Sequence, residues 1–136
     1  MDVRYAELCD RAFWYSLDRH LPEAEYPEKV RRKQAYVLLE DDRPVGILRY
    51  NLFWDNTPFC TLLYIAEGYQ RKGLGRQLMA HWEADMRAQG HECVLTSTQS
   101  DEGAQHFYRK IGYRDCGGMV IGPCEPMELL MMKALK

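Results

Sequence analysis

The stretch Phe59-Cys60-Thr61-Leu62-Leu63-Tyr64-Ile65-Ala66-Glu67-Gly68-Tyr69-Gln70-Arg71-Lys72-Gly73-Leu74-Gly75-Arg76-Gln77-Leu78-Met79 decides the fold. Its first eight residues are almost continuously apolar, the pattern of a central strand buried on both faces. After the glycines the period changes. Leu74, Leu78, Trp82 and Met86 recur every fourth residue, with Met79 beside them, so this part reads as an amphipathic helix. Between strand and helix lies Gln70-Arg71-Lys72-Gly73-Leu74-Gly75. A helix's first amides have no internal partner and carry the positive end of the helix dipole. Glycines let phosphates approach those amides, and Arg71, Lys72 and Arg76 add positive charge, so a pyrophosphate fits this mouth. Two other phosphate loops are excluded. The G-x-x-x-x-G-K-[ST] pattern is absent, and the third glycine of the dinucleotide fingerprint is replaced by Leu78. Taken alone, the segment also fits a glycine-relieved turn with solvated basic residues.

Upstream, Val3 to Ala6 reads as a short strand and Glu7 to Arg19 as a helix with Leu8, Ala12, Tyr15 and Leu17 to one side. Glu23 to Lys33 is a charged helix whose Arg31-Arg32-Lys33 end is solvated. Gln34 to Glu40 and Val45 to Phe53 read as strands, joined by the turn Asp41-Asp42-Arg43-Pro44. A second turn, Asp55-Asn56-Thr57-Pro58, leads to the strand Phe59 to Ala66. Downstream, Gln89-Gly90 stops the central helix and Cys93 to Thr96 is a strand. Strand, helix, strand at this spacing implies a right-handed crossover and a parallel pair. Ser100-Asp101-Glu102 is a helix-start signal, with Ala104, Phe107, Tyr108 and Ile111 along one stripe. Gly112 ends that helix, and Asp115 to Ile121 and Met127 to Lys133 are the last strands. The order β-α-α-β-β-β-α-β-α-β-β predicts an α/β (α+β) fold. It has a mixed, mostly antiparallel sheet with helices on both faces, in a single domain over residues 1–136.

The bulk properties narrow the function. A chain of 136 residues can bury a real core. A net charge of −2 argues against a general nucleic-acid binder. No stretch approaches the roughly 18 apolar residues of a membrane helix. The five cysteines include no Cys-x-x-Cys pair, which predicts a reduced protein with mostly buried thiols. The first residues lack a basic region followed by an apolar run, so no signal peptide is expected, and the expected location is cytoplasmic. No metal site is expected. His81 and His91 have no ligand spacing, and His106 is expected at the surface.

A second segment, Ala104-Gln105-His106-Phe107-Tyr108-Arg109-Lys110-Ile111-Gly112-Tyr113, follows the glycine turn at about one strand plus one turn. Together the two resemble the GNAT superfamily of N-acetyltransferases. That family pairs Q/R-x-x-G-x-G/A after its fourth strand with A-x-x-[aromatic/Leu]-Y-x-x-x-G-[F/Y] after its fifth. The likeness is specific from Phe59 to Tyr113 and extends over the rest of the chain in element order.

The resemblance implies acetyl transfer from acetyl-coenzyme A to a primary amine by direct attack on the thioester, with no metal. The pantetheine arm would pair with the main chain of Leu63, Tyr64 and Ile65, as an added strand does. The pyrophosphate would lie on the loop of Gln70, Arg71, Lys72, Gly73, Leu74, Gly75 and Arg76. Tyr108 would be the general acid to the leaving thiolate. Without the family context, it is simply part of its helix's apolar stripe. Asp101 stands where the family often has Asn, so it would cap its helix and touch the cofactor. Thr96 stands where ribosomal-protein α-amine acetylases carry Glu, and the strand Phe59 to Ala66 holds no carboxylate. The general base is therefore open among Glu67, Asp55 and a water chain. Trp54 beside Asp55 could hold a cationic amine or form a packed turn, and Tyr26, Tyr36 and Tyr50 fit either the acceptor side or the core. The acceptor would be a small-molecule or peptide amine, and a homodimer is compatible with the family. A non-catalytic acyl-coenzyme A sensor on the same scaffold is the competing reading.

Overall fold

The computed structural model describes Met1–Lys136. Its seven-stranded sheet has the order β1-β2-β3-β4-β5-β7-β6. The strands are β1 (Asp2–Tyr5), β2 (Ala35–Glu40), β3 (Arg43–Phe53), β4 (Thr57–Ile65), β5 (Cys93–Gln99), β6 (Arg114–Met119) and β7 (Glu128–Ala134). The helices are α1 (Arg11–Leu17), α2 (Glu25–Arg31), α3 (Leu74–Ala88) and α4 (Ala104–Lys110), with a 3-10 turn over Leu8–Asp10. β4 and β5 are parallel. The pairs β1–β2, β2–β3, β5–β7 and β6–β7 are antiparallel. The expected mixed, mostly antiparallel architecture is what forms. The chain divides into two compact units, residues 1–51 with 61–82, and residues 52–60 with 83–136.

In the first unit, β2 and β3 are the strands covered on both faces. Ala35, Val37 and Ile47 point into a core with Trp14 of α1 and Tyr26 of α2. Alternate residues belong to the other face of a strand. On that face Tyr36 lies 5.9 Å from His81 and Tyr50 lies 5.7 Å from Trp82, both of α3. Tyr26, Tyr36 and Tyr50 are thus core residues. The apolar stripe of α3 is buried as its period predicts, with Leu74, Leu78, Met79, Trp82 and Met86 all inside. Each such side chain contributes about 1.5–3 kcal/mol.

Three expectations are corrected. β4 is not a doubly buried strand, for Thr61 and Tyr64 are exposed. An apolar run reports composition, whereas burial requires cover on both faces. The first helix is shorter than Glu7 to Arg19, and its buried residue is Trp14. Leu8 is exposed, and so is Ala12. The thiols are not mostly buried, since Cys9, Cys116 and Cys124 are exposed and only Cys60 is fully inside.

Trp14 is positioned by a polar network. Asp18 is fully buried. Its Oδ2 accepts from Trp14 Nε1 at 3.0 Å and from Arg49 Nε at 2.8 Å. Its Oδ1 accepts the backbone N–H groups of His20 at 2.9 Å and Leu21 at 3.2 Å. Burial alone would raise the Asp18 pKa. The Arg49 guanidinium and these donors outweigh it, so the carboxyl is held below its ordinary value. This carboxylate fixes the end of α1 onto β3. Asp18→Asn removes the charge that Arg49 is paired with, and should lower stability by about 3 kcal/mol, read as a shift in denaturant midpoint at constant slope. The depressed pKa means the Asp18 contribution is complete above about pH 3.8 and is lost as pH falls through the lower folded value. Stability of the Asn variant should therefore fall less steeply in acid.

Candidate active site

The loop between β4 and α3 belongs to the first unit. Gly73 has φ +78, and its carbonyl accepts the N–H of Gln77 at 3.1 Å, so it begins the helix. A side chain at Gly73 would meet nothing within 4 Å. The demand there is on backbone conformation rather than space. Arg71 adopts φ +64 without being glycine, which costs about 1 kcal/mol or more. Leu74 is buried while Arg71, Lys72, Gly73 and Arg76 are exposed. Leu74 thus anchors the first turn of the helix, whose first amides have no partner within the helix and lie in a segment of exposed cations. Gln70 turns back on the strand, with Nε2 donating to Ile65 O at 2.8 Å. Lys72 Nζ lies 5.5 Å from the Tyr69 ring centroid. A cavity of about 370 Å³ borders the loop, with Tyr69, Lys72 and Gln77 opposite Glu40 and Asp41. The two carboxylates make that cavity unsuited to a polyanion. Arg71, Gly73 and Arg76 are exposed and do not line that cavity.

Tyr108 belongs to the second unit and is buried. Burial raises its pKa, the Cys60 side chain adds to the rise, and the Thr96 hydroxyl beside it works in the opposite direction. The phenol therefore keeps its proton throughout the neutral range. Thr96 is buried and donates to Cys60 O at 3.1 Å, next to the point where β4 and β5 pair, Cys60 opposite Thr96. The helix carrying Tyr108 is held from behind. Tyr113 meets the Tyr108 ring edge-on at 5.7 Å, and its hydroxyl donates to Glu83 Oε2 at 2.7 Å. Lys133 Nζ donates to Glu83 Oε1 at 2.8 Å. Burial and the neighbouring Glu83 carboxylate both raise the Tyr113 pKa. Gly112 has φ +103, and a side chain there would press on Lys133 Cε at 3.2 Å. The sequence signal for Glu83 was available, a carboxylate directly beside Trp82 on a buried helix face. Its partners stand 30 and 50 residues further on.

The remaining expected site residues fall as follows. Leu63 and Ile65 are half-buried and Tyr64 is exposed on β4. Trp54 and Asp55 form the tip of the β3–β4 hairpin, at φ +53 and +64. The Trp54 ring leans on Phe53 with centroids 4.8 Å apart and is 80% exposed, so it is not packed at the sheet end. Glu67 is exposed in the loop and His106 on α4. Asp101 is exposed and does not cap α4. The cap position of that helix is Gly103, which has no side chain to offer, and the preceding Glu102 accepts the N–H of Gln99 at 3.0 Å. No group of three His, Cys, Asp or Glu side chains converges in a way that could hold a metal ion. No helix is long and apolar enough to cross a membrane.

A fold of this order, with a glycine turn opening α3 and a buried tyrosine on α4, defines a class. Residues 4–113 match the family model of the acetyltransferase (GNAT) family, and the chain belongs to that family. No curated protein matches the chain in sequence. Among solved structures it is similar to Ard1 from Thermoplasma volcanium, at 18% identity and a TM-score of 0.87, covering 98% of this chain and 96% of that one. It is also similar to the ribosomal-protein-S18-alanine N-acetyltransferase from Escherichia coli, at 15% identity and a TM-score of 0.78, covering 99% and 94%. A third is N-acetylglutamate synthase from Neisseria gonorrhoeae, complexed with coenzyme A and N-acetyl-glutamate, at 13% identity and a TM-score of 0.82, covering 99% of this chain and 35% of that one. At such identities the likeness speaks to the fold.

Tyr113→Phe keeps the ring and deletes the hydroxyl, leaving a buried carboxylate one hydrogen bond short. It should lower stability by about 1–3 kcal/mol, measured by thermal unfolding. An unchanged melting temperature would show that this bond contributes nothing.

Proposed function

We propose that the chain is a single N-acetyltransferase domain that transfers acetyl from acetyl-coenzyme A to a primary amine. The observation that carries this reading is the buried phenol of Tyr108, kept protonated at neutral pH beside Thr96. The pyrophosphate is assigned to the amides and cations of Gln70 to Arg76, and the pantetheine arm to the main chain of Leu63, Tyr64 and Ile65. The neutral amine attacks the thioester carbon, and the C–S bond breaks as the tetrahedral intermediate collapses. Tyr108 serves the developing thiolate. Burial makes the phenol a donor at every working pH and also a reluctant acid. Its service begins as a hydrogen bond to sulfur and becomes proton transfer only as the C–S bond opens. Trp54, Asp55 and Glu67 are exposed groups available to an incoming cationic acceptor. The ordinary setting is cytoplasmic, and a homodimer fits the family.

The test is coenzyme A release with a panel of amines, run on wild type and Tyr108→Phe. The variant should lose about a hundredfold in turnover. Its melting temperature should still rise with acetyl-coenzyme A as the wild type's does, by an amount equivalent to about 2.7 kcal/mol at 100 times the Kd. Wild-type turnover in the variant would remove Tyr108 from the mechanism.

A further inference from the structure

The reaction also requires a group that takes a proton from the acceptor, since an alkyl ammonium of pKa about 10.4 is almost wholly protonated at neutral pH. β5 places Tyr108's partner and a carboxylate on opposite sides of a single strand. Successive strand residues face opposite ways. Along β5, Val94, Thr96 and Thr98 are buried, while Leu95, Ser97 and Gln99 are half-buried. Thr96 lies on the Tyr108 side. Ser97, the next residue, turns to the other face, and there its Oγ donates to Glu128 Oε1 at 2.9 Å.

The register explains how Glu128 reaches that position. It opens β7 directly opposite Gln99, and Ser97 is opposite Leu130. Residues paired across an antiparallel ladder share a face, and the diagonal neighbour is within side-chain reach. Glu128 is half-buried, and its Oε2 makes no hydrogen bond and is not sealed from solvent. The carboxylate therefore has one oxygen fixed by a hydroxyl and one oxygen open. Around it, Gln99 engages two further carboxylates. Its Nε2 donates to Glu125 Oε2 at 2.7 Å, and its N–H donates to Glu102 Oε1 at 3.0 Å. The side-chain groups charged at neutral pH on this stretch of β5, β7 and their connecting loops are thus acidic.

We propose that Glu128, oriented by Ser97, receives the acceptor's ammonium group and is the general base of the reaction. This rests on the acetyl-transfer reading above. The ammonium hydrogen-bonds to the open Oε2 and gives it one proton, leaving a neutral amine and a carboxylic acid. The nitrogen lone pair forms the C–N bond, and the C–S electron pair leaves with sulfur, which gains a proton through Tyr108. The attacking nitrogen then gives its surplus proton back to Tyr108, keeping the single N–H of the amide, and Glu128 loses its own proton to solvent. One ammonium and one thioester become one amide, one thiol and one proton. The acid and the base thus act from the two faces of β5.

The experiment compares wild type with Glu128→Gln, Glu128→Asp and Ser97→Ala, each in coenzyme A release against the amine panel and in melting temperature with and without acetyl-coenzyme A. The Gln variant keeps size and can still accept from Ser97, so the fold should hold. Its kcat/KM for the best amine should fall by about a hundredfold, with the KM for acetyl-coenzyme A unchanged. The deficit should shrink as pH rises toward the amine's own pKa, where no base is needed. Asp should recover part of the loss, and Ser97→Ala should cost on the order of tenfold, one hydrogen bond to a charged group. A Gln variant with wild-type kcat/KM, or a deficit that does not change with pH, would overturn the assignment while leaving acetyl transfer intact. Wild type that releases no coenzyme A with any amine would overturn the acetyl-transfer reading, and the role of Glu128 with it.

Discussion

A helix of seven residues cannot hold itself together in water, and α4 has seven. What holds it is the buried carboxylate of Glu83. That group would be costly without partners, and it is satisfied by two, the Tyr113 hydroxyl and the Lys133 ammonium. Tyr113 lies three residues past the end of α4, Glu83 lies on α3 and Lys133 on β7. One carboxylate thus binds three elements far apart in sequence. The aromatic contact from Tyr113 to Tyr108 then transmits that fixing to the phenol. The placement of the Tyr108 hydroxyl thus depends on a carboxylate that lies on another element.

The two compact units carry different kinds of chemistry. In the first, the β4–α3 loop carries the exposed cations Arg71, Lys72 and Arg76. Its rigidity comes from a buried Leu74 and from Gln70 tied to Ile65 O. In the second, side chains of β5, α4 and β7 bring together the hydroxyls of Thr96, Ser97 and Tyr108 and the carboxylate of Glu128.

Much of this was legible in the sequence, and the failures have physical causes. The stripe of α3 was readable because its period is regular and every member is buried. The glycine turn was readable because positive φ and unpaired amides both leave marks in composition. β4 was misjudged because Thr61, Tyr64 and their apolar neighbours stand in a strand that its surroundings do not cover on both sides. Trp14 was not legible as the buried residue of α1, because the elements that cover it and the Arg49 that completes the Asp18 site holding its N–H come from later in the chain. The Ser100-Asp101-Glu102 signal precedes α4 without capping it, since Glu102 closes a turn back to Gln99 and the cap position is Gly103. Glu128 was invisible for the same kind of reason. Its position beside Ser97 is set by the register of β7 on β5, and a register is a property of the pair and not of either segment.

The three indoles of the chain occupy three unlike environments. Trp14 is buried with its N–H bound to Asp18. Trp82 is buried with an N–H that finds no partner. Trp54 stands at the hairpin tip with four-fifths of its surface in water. A water-soluble collisional quencher would reach the last and leave the other two emitting, so the molecule carries a built-in fluorescent reporter of the β3–β4 turn. Anything that settles on that turn would shield the indole from the quencher and shift its emission to shorter wavelength.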